Sequence, residues 1–121
     1  MSKTILVVDD SKTIREMVKQ TLTESCYTVV LANDGVDALG ILNSCDPDAI
    51  VTDINMPRMD GFGLMTEVRK KPKFQRIPIL VLTTESAEEL KSRARLAGAT
   101  GWIVKPFDSA KLLRALELVV R

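Results

Sequence analysis

Side chains that can carry out chemistry occur at four separate places in this sequence, each directly after a short run of apolar and β-branched residues. The places are Asp9-Asp10 after residues 4–8, Asp53 after 49–52, Thr83 after 79–82 and Lys105 after 102–104. Two carboxylates about 4 Å apart repel each other by about 4 kcal/mol at an effective dielectric constant near 20. If the aspartates converge, a cation is needed among them, and oxygen ligands favour Mg²⁺ or Mn²⁺ over Zn²⁺ or Cu²⁺.

A carboxylate beside Mg²⁺, a lysine and a hydroxyl is suited to receiving a phosphoryl group. Transfer of that group spreads charge over its equatorial oxygens, so positioning and positive charge supply most of the catalysis. We expect Asp53 to be the nucleophile, Lys105 to neutralise the transferred oxygens and the Thr83 hydroxyl to donate to one of them. The chain contains no histidine, which excludes Ser-His-Asp and Cys-His nucleophile systems and histidine metal sites.

Each of these residues also has a simpler explanation. Asp53 can be an ordinary turn residue after a strand, and either Asp9 or Asp10 can cap the helix that follows. Thr83 can be a hydroxyl at a strand end, and Lys105 can be a solvated lysine. Residue by residue these alternatives stay open, because the phosphoryl-transfer interpretation depends on all the positions meeting at one place.

The pattern of apolar residues predicts five units of a strand followed by a helix. Continuous apolar runs at 4–8, 28–31, 49–52, 79–82 and 102–104 are typical of strands buried on both faces. Segments of helical period follow them, and this alternation favours an α/β fold with an open parallel sheet and right-handed crossovers. We find no linker or repeat and expect one domain, residues 1–121. Ligands of such sheets bind at the carboxyl ends of the strands, where the four places lie.

The helical period also predicts which side chains face the sheet. They are Ile14, Met17, Val18, Thr21 and Leu22 in helix 1; Val36, Leu39 and Leu42 in helix 2; Leu64, Met65 and Val68 in helix 3 (61–70); Leu90, Ala94 and Ala97 in helix 4 (87–97); and Leu112, Leu113, Leu116, Val119 and Val120 in helix 5. Asp60 is expected to begin helix 3, Gly98 to end helix 4, and Asp108 or Ser109 to cap helix 5.

The composition is that of an ordinary globular domain. The 121 residues are 45% hydrophobic and 27% charged, and the net charge of +1 is too balanced to indicate a nucleic-acid partner. No apolar run approaches the roughly 20 residues that span a bilayer, and no signal-peptide pattern precedes residue 4, so we expect no membrane partner and a cytoplasmic location. Cys26 and Cys45 are too few for a disulfide framework or a zinc site and are interpreted as buried or incidental thiols.

Four segments together resemble a known family. They are Val7-Val8-Asp9-Asp10-Ser11, Asp53-Ile54-Asn55-Met56-Pro57-Arg58-Met59-Asp60-Gly61, Leu82-Thr83-Thr84 and Gly98-Ala99-Thr100-Gly101-Trp102-Ile103-Val104-Lys105-Pro106-Phe107. Their order and spacing are similar to those of the receiver domain of two-component response regulators, above all of its single-domain, CheY-like members. The resemblance runs from end to end and implies a flavodoxin-like (βα)5 fold with five parallel strands in the order 2-1-3-4-5.

The resemblance implies a role for each residue of the site. A phosphohistidine on a sensor histidine kinase or a phosphotransfer protein would phosphorylate Asp53, and Thr83 and Lys105 would hold the phosphoryl group. The missing histidine fits, because the donor histidine then belongs to the partner. The implied Mg²⁺ ligands are Asp10, Asp53, Asp9 through water and the carbonyl oxygen of Asn55. The bond between Lys105 and Pro106 would be cis.

The family also implies a switch and a means of setting the lifetime of the phosphoryl group. The implied switch residues are Thr83, Thr84 and Trp102, and the implied lifetime residues are Asn55 and Glu85. Trp102 stands where CheY-like proteins have tyrosine, and Thr84 stands where they have a smaller alanine. Lys91 and Arg95 face outward on helix 4 where a more apolar binding face would be expected, which argues against a flagellar-motor target.

The implied function is a phosphorylation-dependent signalling switch, not an enzyme, in chemotaxis-type signalling. A downstream protein would bind the face formed by helix 4, strand 5 and helix 5, and we expect the protein to be a monomer. Within the family, a phosphorelay intermediate or a phosphate sink is the alternative, and a receiver-shaped module that is never phosphorylated is disfavoured by the intact acceptor, lysine and hydroxyl.

Two other protein classes are disfavoured by single positions. A haloacid-dehalogenase-like phosphatase needs a second aspartate where Asn55 stands. A flavin-binding protein needs a phosphate-binding loop rich in hydroxyls and glycine where Asp9-Asp10 stands.

Overall fold

Helices cover both faces of a five-stranded parallel sheet in the computed structural model, which describes residues 2–120. The strands are β1 (Thr4–Val8), β2 (Thr28–Ala32), β3 (Ala49–Thr52), β4 (Ile79–Thr83) and β5 (Gly101–Val104). The helices are α1 (Lys12–Glu24), α2 (Gly35–Leu42), α3 (Gly61–Lys70), α4 (Glu88–Ala97) and α5 (Ser109–Val119), with a 3-10 turn at Pro72–Phe74. The strand order β2-β1-β3-β4-β5 confirms the predicted fold.

The strands need continuous apolar runs because their side chains alternate between two hydrophobic cores. One core, which includes residues of α2, α3 and α4, takes Leu6, Val8, Ile50, Ile79 and Val81. The other, which includes residues of α1 and α5, takes Ile5, Val7, Val51, Leu80 and Leu82. Each of these ten residues, all from β1, β3 and β4, is at most 2% exposed. The prediction that β2 and β5 are also buried on both faces is wrong, because these two strands form the edges of the sheet and are only partly buried. The sheet is therefore the rigid centre from which the loops at its edges project.

Strand register brings the chemically capable residues to one edge of the sheet. Val8 is paired with both Ala32 and Thr52, and Thr83 is paired with Val104. Because all neighbouring strands are parallel, the residues that directly follow β1, β3 and β5 leave the sheet on the same side.

Two residues predicted to face the sheet face water instead. Met17 is 48% exposed and Val36 is 41% exposed. Each lies one residue, or about 100° around its helix, from a buried residue, Val18 and Gly35 respectively. In α2 the buried residues are Gly35, Ala38 and Leu42, so two of the three are small and the larger apolar Val36 is not among them.

The helix ends follow the predicted capping residues in all but one case. Asp60 accepts from Gly63 N at 2.8 Å at the start of α3, and Asp108 accepts from Ala110 N at 2.8 Å at the start of α5. The N-cap of α1 is Ser11, whose hydroxyl accepts from Ile14 N at 3.3 Å, so the alternative in which Asp9 or Asp10 caps this helix is wrong. Both aspartates are left for another role.

Two of the helices are followed by a residue in the left-handed backbone conformation. Gly98, with φ of 108°, ends α4 as predicted. Cys26, with φ of 70°, follows the end of α1 and donates its N–H to the Thr23 carbonyl at 3.0 Å. Its side chain is exposed, which leaves the incidental thiol of the two predicted alternatives for Cys26, while Cys45 is partly buried.

Within residues 2–120, none of the helices is long and apolar enough to cross a membrane. The longest, α1, has 13 residues and spans about 20 Å, against about 30 Å for the hydrocarbon core of a bilayer. The cytoplasmic location stays a prediction.

Candidate functional site

Three aspartates from two loops converge at the carboxyl edge of the sheet. One carboxylate oxygen from each of Asp9, Asp10 and Asp53 lies within 4.8 Å of the other two. Asp9 is 2% exposed and Asp53 is 8% exposed, whereas Asp10 is exposed. The structure thus brings together residues 43 or more positions apart in the chain, as the parallel sheet predicts.

Lys105 joins two of these carboxylates. Its Nζ donates to Asp9 Oδ2 at 2.7 Å and to Asp53 Oδ2 at 2.8 Å, and its side chain is 10% exposed. Burial lowers the pKa of Lys105, but the hydrogen bonds to Asp53 and Asp9 and the negative charges of these residues together outweigh burial and raise this pKa above its ordinary value. Burial raises the pKa of Asp9, against the opposing effect of the hydrogen bond from Lys105. Lys105 is therefore a fixed positive charge between two carboxylates.

Asp53 is held in place by the end of β3 and the start of α3. Its Oδ1 accepts from Ile54 N at 2.6 Å, and its backbone N–H donates to the Val8 carbonyl at 3.0 Å. Gly61 begins α3 so close to this point that a Cβ there would clash with Asp53 O. The Asp53 side chain keeps 11% of its surface exposed, so the carboxylate is oriented by the fold and still reached by solvent.

Asp9 is held by two hydrogen bonds from residues at the start of α1. Ser11 N donates to Asp9 Oδ1 at 2.9 Å, and Arg15 Nη1 donates to Asp9 O at 2.7 Å. Sequence reasoning missed Arg15. The sequence did contain a signal for it. Arg15 lies on the first turn of the helix that follows the two aspartates, where a long cationic side chain can reach back to them.

Thr83 is connected to the site through Lys105. The Lys105 N–H donates to the Thr83 carbonyl at 2.7 Å, and Thr83 is fully buried at the end of β4. Thr84, which follows it, is exposed. The bond between Lys105 and Pro106 is cis, which confirms the expectation drawn from the resemblance.

Glu85 links three of the predicted residues to one another. Its N–H donates to Thr83 Oγ1 at 3.4 Å, its side-chain Oε1 accepts from Asn55 Nδ2 at 3.1 Å, and its carbonyl accepts from Trp102 Nε1 at 3.0 Å. Trp102 is partly buried in β5. The family resemblance implied that Asn55 and Glu85 belong to the site, but it did not indicate that they bond to each other or that Glu85 bonds to the tryptophan.

The sequence of residues 5–117 matches the family described as the response regulator receiver domain. The chain belongs to this family. It is 42% identical to the chemotaxis protein CheY1 of Helicobacter pylori over 96% of this chain and 95% of that protein. It is 40% identical to the response regulator MprA of Mycobacterium ulcerans over its whole length, but it spans only 51% of that relative. The chain therefore covers about half the length of some of its relatives.

Solved structures of other receiver domains superpose closely on this one. The chemotaxis protein CheY4 of Vibrio cholerae matches with a TM-score of 0.95 and 43% identity, over 98% of this chain and 99% of that one. The receiver domain of a sensor histidine kinase of Pseudomonas aeruginosa matches with a TM-score of 0.92 and 28% identity, over 99% of this chain and 98% of that one. That structure is described as having a magnesium ion coordinated in the active-site cleft.

The acidic cluster of this receiver domain has the donors that Mg²⁺ requires. All three side chains offer hard carboxylate oxygens, and exposed Asp10 leaves room for water ligands. When ionised, the three carboxylates and the Lys105 ammonium together carry two negative charges, which matches a divalent cation. The donor set therefore fits Mg²⁺, the ion found in the receiver-domain structure from Pseudomonas aeruginosa.

Proposed function

We propose that this receiver domain is a phosphorylation-dependent signalling switch whose Asp53 accepts a phosphoryl group from the phosphohistidine of a histidine kinase or a phosphotransfer protein. The observation that carries the proposal is the Lys105 ammonium bonded at once to Asp9 and Asp53 inside the acidic cluster. Burying such charges is costly, and replacing them by apolar residues is often stabilising. A functional role explains why the arrangement is kept at the rim of the sheet.

In the proposed reaction, a bond forms between an Asp53 carboxylate oxygen and phosphorus while the P–N bond of the phosphohistidine breaks. The electron pair of the P–N bond stays with the imidazole nitrogen, which takes up a proton as the ring leaves. Lys105 lies 2.8 Å from Asp53 Oδ2 and supplies positive charge beside the transferred oxygens. Thr83, buried beside Lys105, is assigned to donate its hydroxyl to one of those oxygens.

Asp10 and Asp53, with Asp9 through water and the Asn55 carbonyl, would hold Mg²⁺. Bound there, the ion would neutralise charge on the transferred phosphoryl oxygens. The protein's own contribution is to fix the carboxylates, because Ser11 N orients Asp9 and Ile54 N orients Asp53. Such orientation before the reaction lowers the entropic cost of reaching the transition state.

The hydrogen bonds of Glu85 support a path from the site to the face formed by α4, β5 and α5. Glu85 lies between Thr83 on the site side and Trp102 on β5. Val104 of β5 is an apolar residue that is 40% exposed on this face, which supports its use by a downstream protein. The chemotaxis relatives make a chemotaxis-type pathway in the cytoplasm our proposal for its biological setting.

The test is phosphorylation by a small acyl phosphate with Mg²⁺ and no kinase, followed by intact-mass measurement. We expect a mass increase of one phosphoryl group in the wild type and in Asp60→Asn, which retains a capping side chain at the start of α3. We expect none in Asp53→Asn. Full labelling of Asp53→Asn, or no labelling of the wild type by either an acyl phosphate or a phosphohistidine donor, would contradict the proposal.

A further inference from the structure

The loop of residues 54–60, between β3 and α3, is joined to the turn between β2 and α2 by one ion pair. Arg58 Nε donates to Asp34 Oδ2 at 2.7 Å, and Arg58 Nη2 donates to Asp34 Oδ1 at 3.0 Å. Two parallel bonds of this kind fix the relative orientation of the partners as well as their distance. The Asp34 side chain is only 5% exposed, although that of Arg58 is 60% exposed.

The backbone of Arg58 is in a conformation that arginine does not favour. Its φ of 66° lies in the left-handed region, which glycine and asparagine adopt more readily. Such a backbone persists where surrounding contacts hold it, and the ion pair to Asp34 is one of those contacts. Its presence in the loop that also carries Asn55 indicates that the position of the loop matters.

The partner of Arg58 is itself firmly anchored. Asp34 Oδ1 also accepts from Asp37 N at 2.9 Å and caps α2. Next to the pair, Gly35 N donates to Met59 O at 3.3 Å, and a Cβ on Gly35 would lie 2.7 Å from Met59 Cγ. The loop is therefore held at its tip by the start of α2.

A second contact closes the base of the loop, where Gly61 N donates to Ile54 O at 2.8 Å. In the sheet order, Asp34 follows the edge strand β2, while Lys105 follows the opposite edge strand β5. The acidic cluster thus has Lys105 on one side and the Arg58–Asp34 pair on the other. Of these two, only the pair bonds to the loop of residues 54–60, whose Asn55 side chain is bonded to Glu85 as well.

We propose that the Arg58–Asp34 pair positions this loop for Mg²⁺ binding and thereby sets the affinity of the site for the metal. The inference rests on the proposed function, because the Asn55 carbonyl is one of the ligands assigned there. A loop ordered in advance loses little conformational freedom when the metal binds, whereas a loosened loop must be ordered at that moment. Arg58 and Asp34 are positioning residues and touch neither the metal nor the phosphoryl group.

The test is isothermal titration calorimetry with Mg²⁺ alone, on protein shown by circular dichroism to be folded. Arg58→Asn accepts the left-handed backbone but cannot reach Asp34, and Asp34→Asn keeps a capping oxygen but loses the charge. We expect each to weaken Mg²⁺ binding about tenfold, the lower end of the loss that follows removal of residues that orient metal ligands. The double variant should be no weaker than either single variant, because both remove the same interaction.

Lys73→Ala is the matched control, since it removes an ion pair with Asp46 in which both side chains are more than 60% exposed. It should bind Mg²⁺ like the wild type. Hydrogen exchange of the loop amides in Mg²⁺-free buffer gives a second readout, which should be faster in Arg58→Asn and unchanged in Lys73→Ala. Wild-type Mg²⁺ affinity in both single variants, or additive losses in the double variant, would overturn this inference and leave the proposed function standing. A wild type that binds no Mg²⁺ would overturn both.

Discussion

At the scale of single residues, Lys105 determines the charge balance of the site. Alone in the sequence it is an ordinary lysine before a proline, but the fold places its ammonium within 2.8 Å of two nearly buried carboxylates. Removing one partner of a buried ion pair is far more costly than losing an exposed one, because the remaining charges stay without compensation.

Lys105→Met removes this ammonium and keeps most of the length of the side chain. We expect the free energy of unfolding in EDTA to fall by about 3 kcal/mol, because Asp9 and Asp53 lose their shared cation. Mg²⁺ should restore more stability to the variant than it adds to the wild type, since it supplies the missing positive charge. Urea denaturation with and without Mg²⁺ measures both effects. Lys73→Met, at an exposed ion pair, should change stability by less than about 1 kcal/mol. Equal Mg²⁺ effects in Lys105→Met and wild type would argue against the site.

The Asp34 carboxyl gives the fold a defined acid sensitivity. The hydrogen bond from Arg58, assisted by that from Asp37 N, holds the pKa of Asp34 below its ordinary value of 3.8. Because the folded pKa is the lower one, ionised Asp34 stabilises the fold fully above the unfolded pKa, and this contribution is lost as pH falls through the folded pKa. The difference in unfolding free energy between the wild type and Arg58→Asn should therefore be largest at neutral pH.

This stability difference should shrink as the pH falls below 3.8. Urea denaturation at a series of pH values measures it, and an NMR titration of the Asp34 carboxyl in both proteins checks the cause. In Arg58→Asn the pKa of Asp34 should move back toward its ordinary value. A stability difference that does not depend on pH would show that the ion pair is not its origin.

At the scale of elements, the spacing between β3 and α3 decides where Asp53 lies. The start of α3 approaches the end of β3 so closely that Gly61 has no room for a side chain. Helix α2 contains a contrasting case, because a Cβ on Gly40 would meet nothing within 4 Å. The close backbone contact therefore requires glycine at position 61 but not at position 40, although both glycines lie in helices.

Gly61→Ala should lower the free energy of unfolding by about 3 kcal/mol, because the new methyl group would press on Asp53 O and Ile54 Cα. It should also slow labelling by an acyl phosphate, since Asp53 has to move. Gly40→Ala should raise stability by about 0.5 to 1 kcal/mol, because alanine favours the helix and has space there. Thermal melts and labelling rates test the pair. Equal effects of the two substitutions would contradict the close approach at Gly61.

At the scale of the whole molecule, the site and the face formed by α4, β5 and α5 are connected through a short loop. Glu85 bonds to Thr83 and to Asn55 near the site, and to the indole of Trp102 in β5. A ligand at Asp53 can change the populations of two arrangements of this loop only if it binds them with different affinities. The coupling can be measured because Trp102 is the only tryptophan in the chain.

Beryllofluoride with Mg²⁺, which imitates a phosphoryl group on aspartate, should change the fluorescence of Trp102. The physical reason is that a rearranged loop changes the hydrogen bond from the indole N–H to the Glu85 carbonyl. Steady-state emission spectra measure the change, and the same additions to Asp53→Asn should have no effect. Unchanged emission from a wild-type sample whose labelling with beryllofluoride is established by ¹⁹F NMR would refute the coupling.

Local patterns in the sequence determined the strands and the class of the fold, but not that the edge strands β2 and β5 are only partly buried. Strands buried on both faces must be apolar throughout, so the runs at 4–8 and 49–52 end at the observed residues. The faces of α1 and α2 were less predictable, because Met17 and Val36 are apolar but lie beside the buried stripe. Burial depends on the neighbour that each helix packs against, and periodicity alone does not specify that neighbour.

The sequence by itself also determined which residues gather at one edge, since parallel strands deliver Asp53 and Lys105 to the same side of the sheet. Only the tertiary structure decided their partners: Lys105 between two carboxylates, Glu85 between Asn55 and Trp102, and Arg58 on Asp34. These bonds join residues 17 to 96 positions apart. Hydrogen bonds between residues so far apart in the sequence depend on distances and angles that are fixed only when the helices have packed on the sheet.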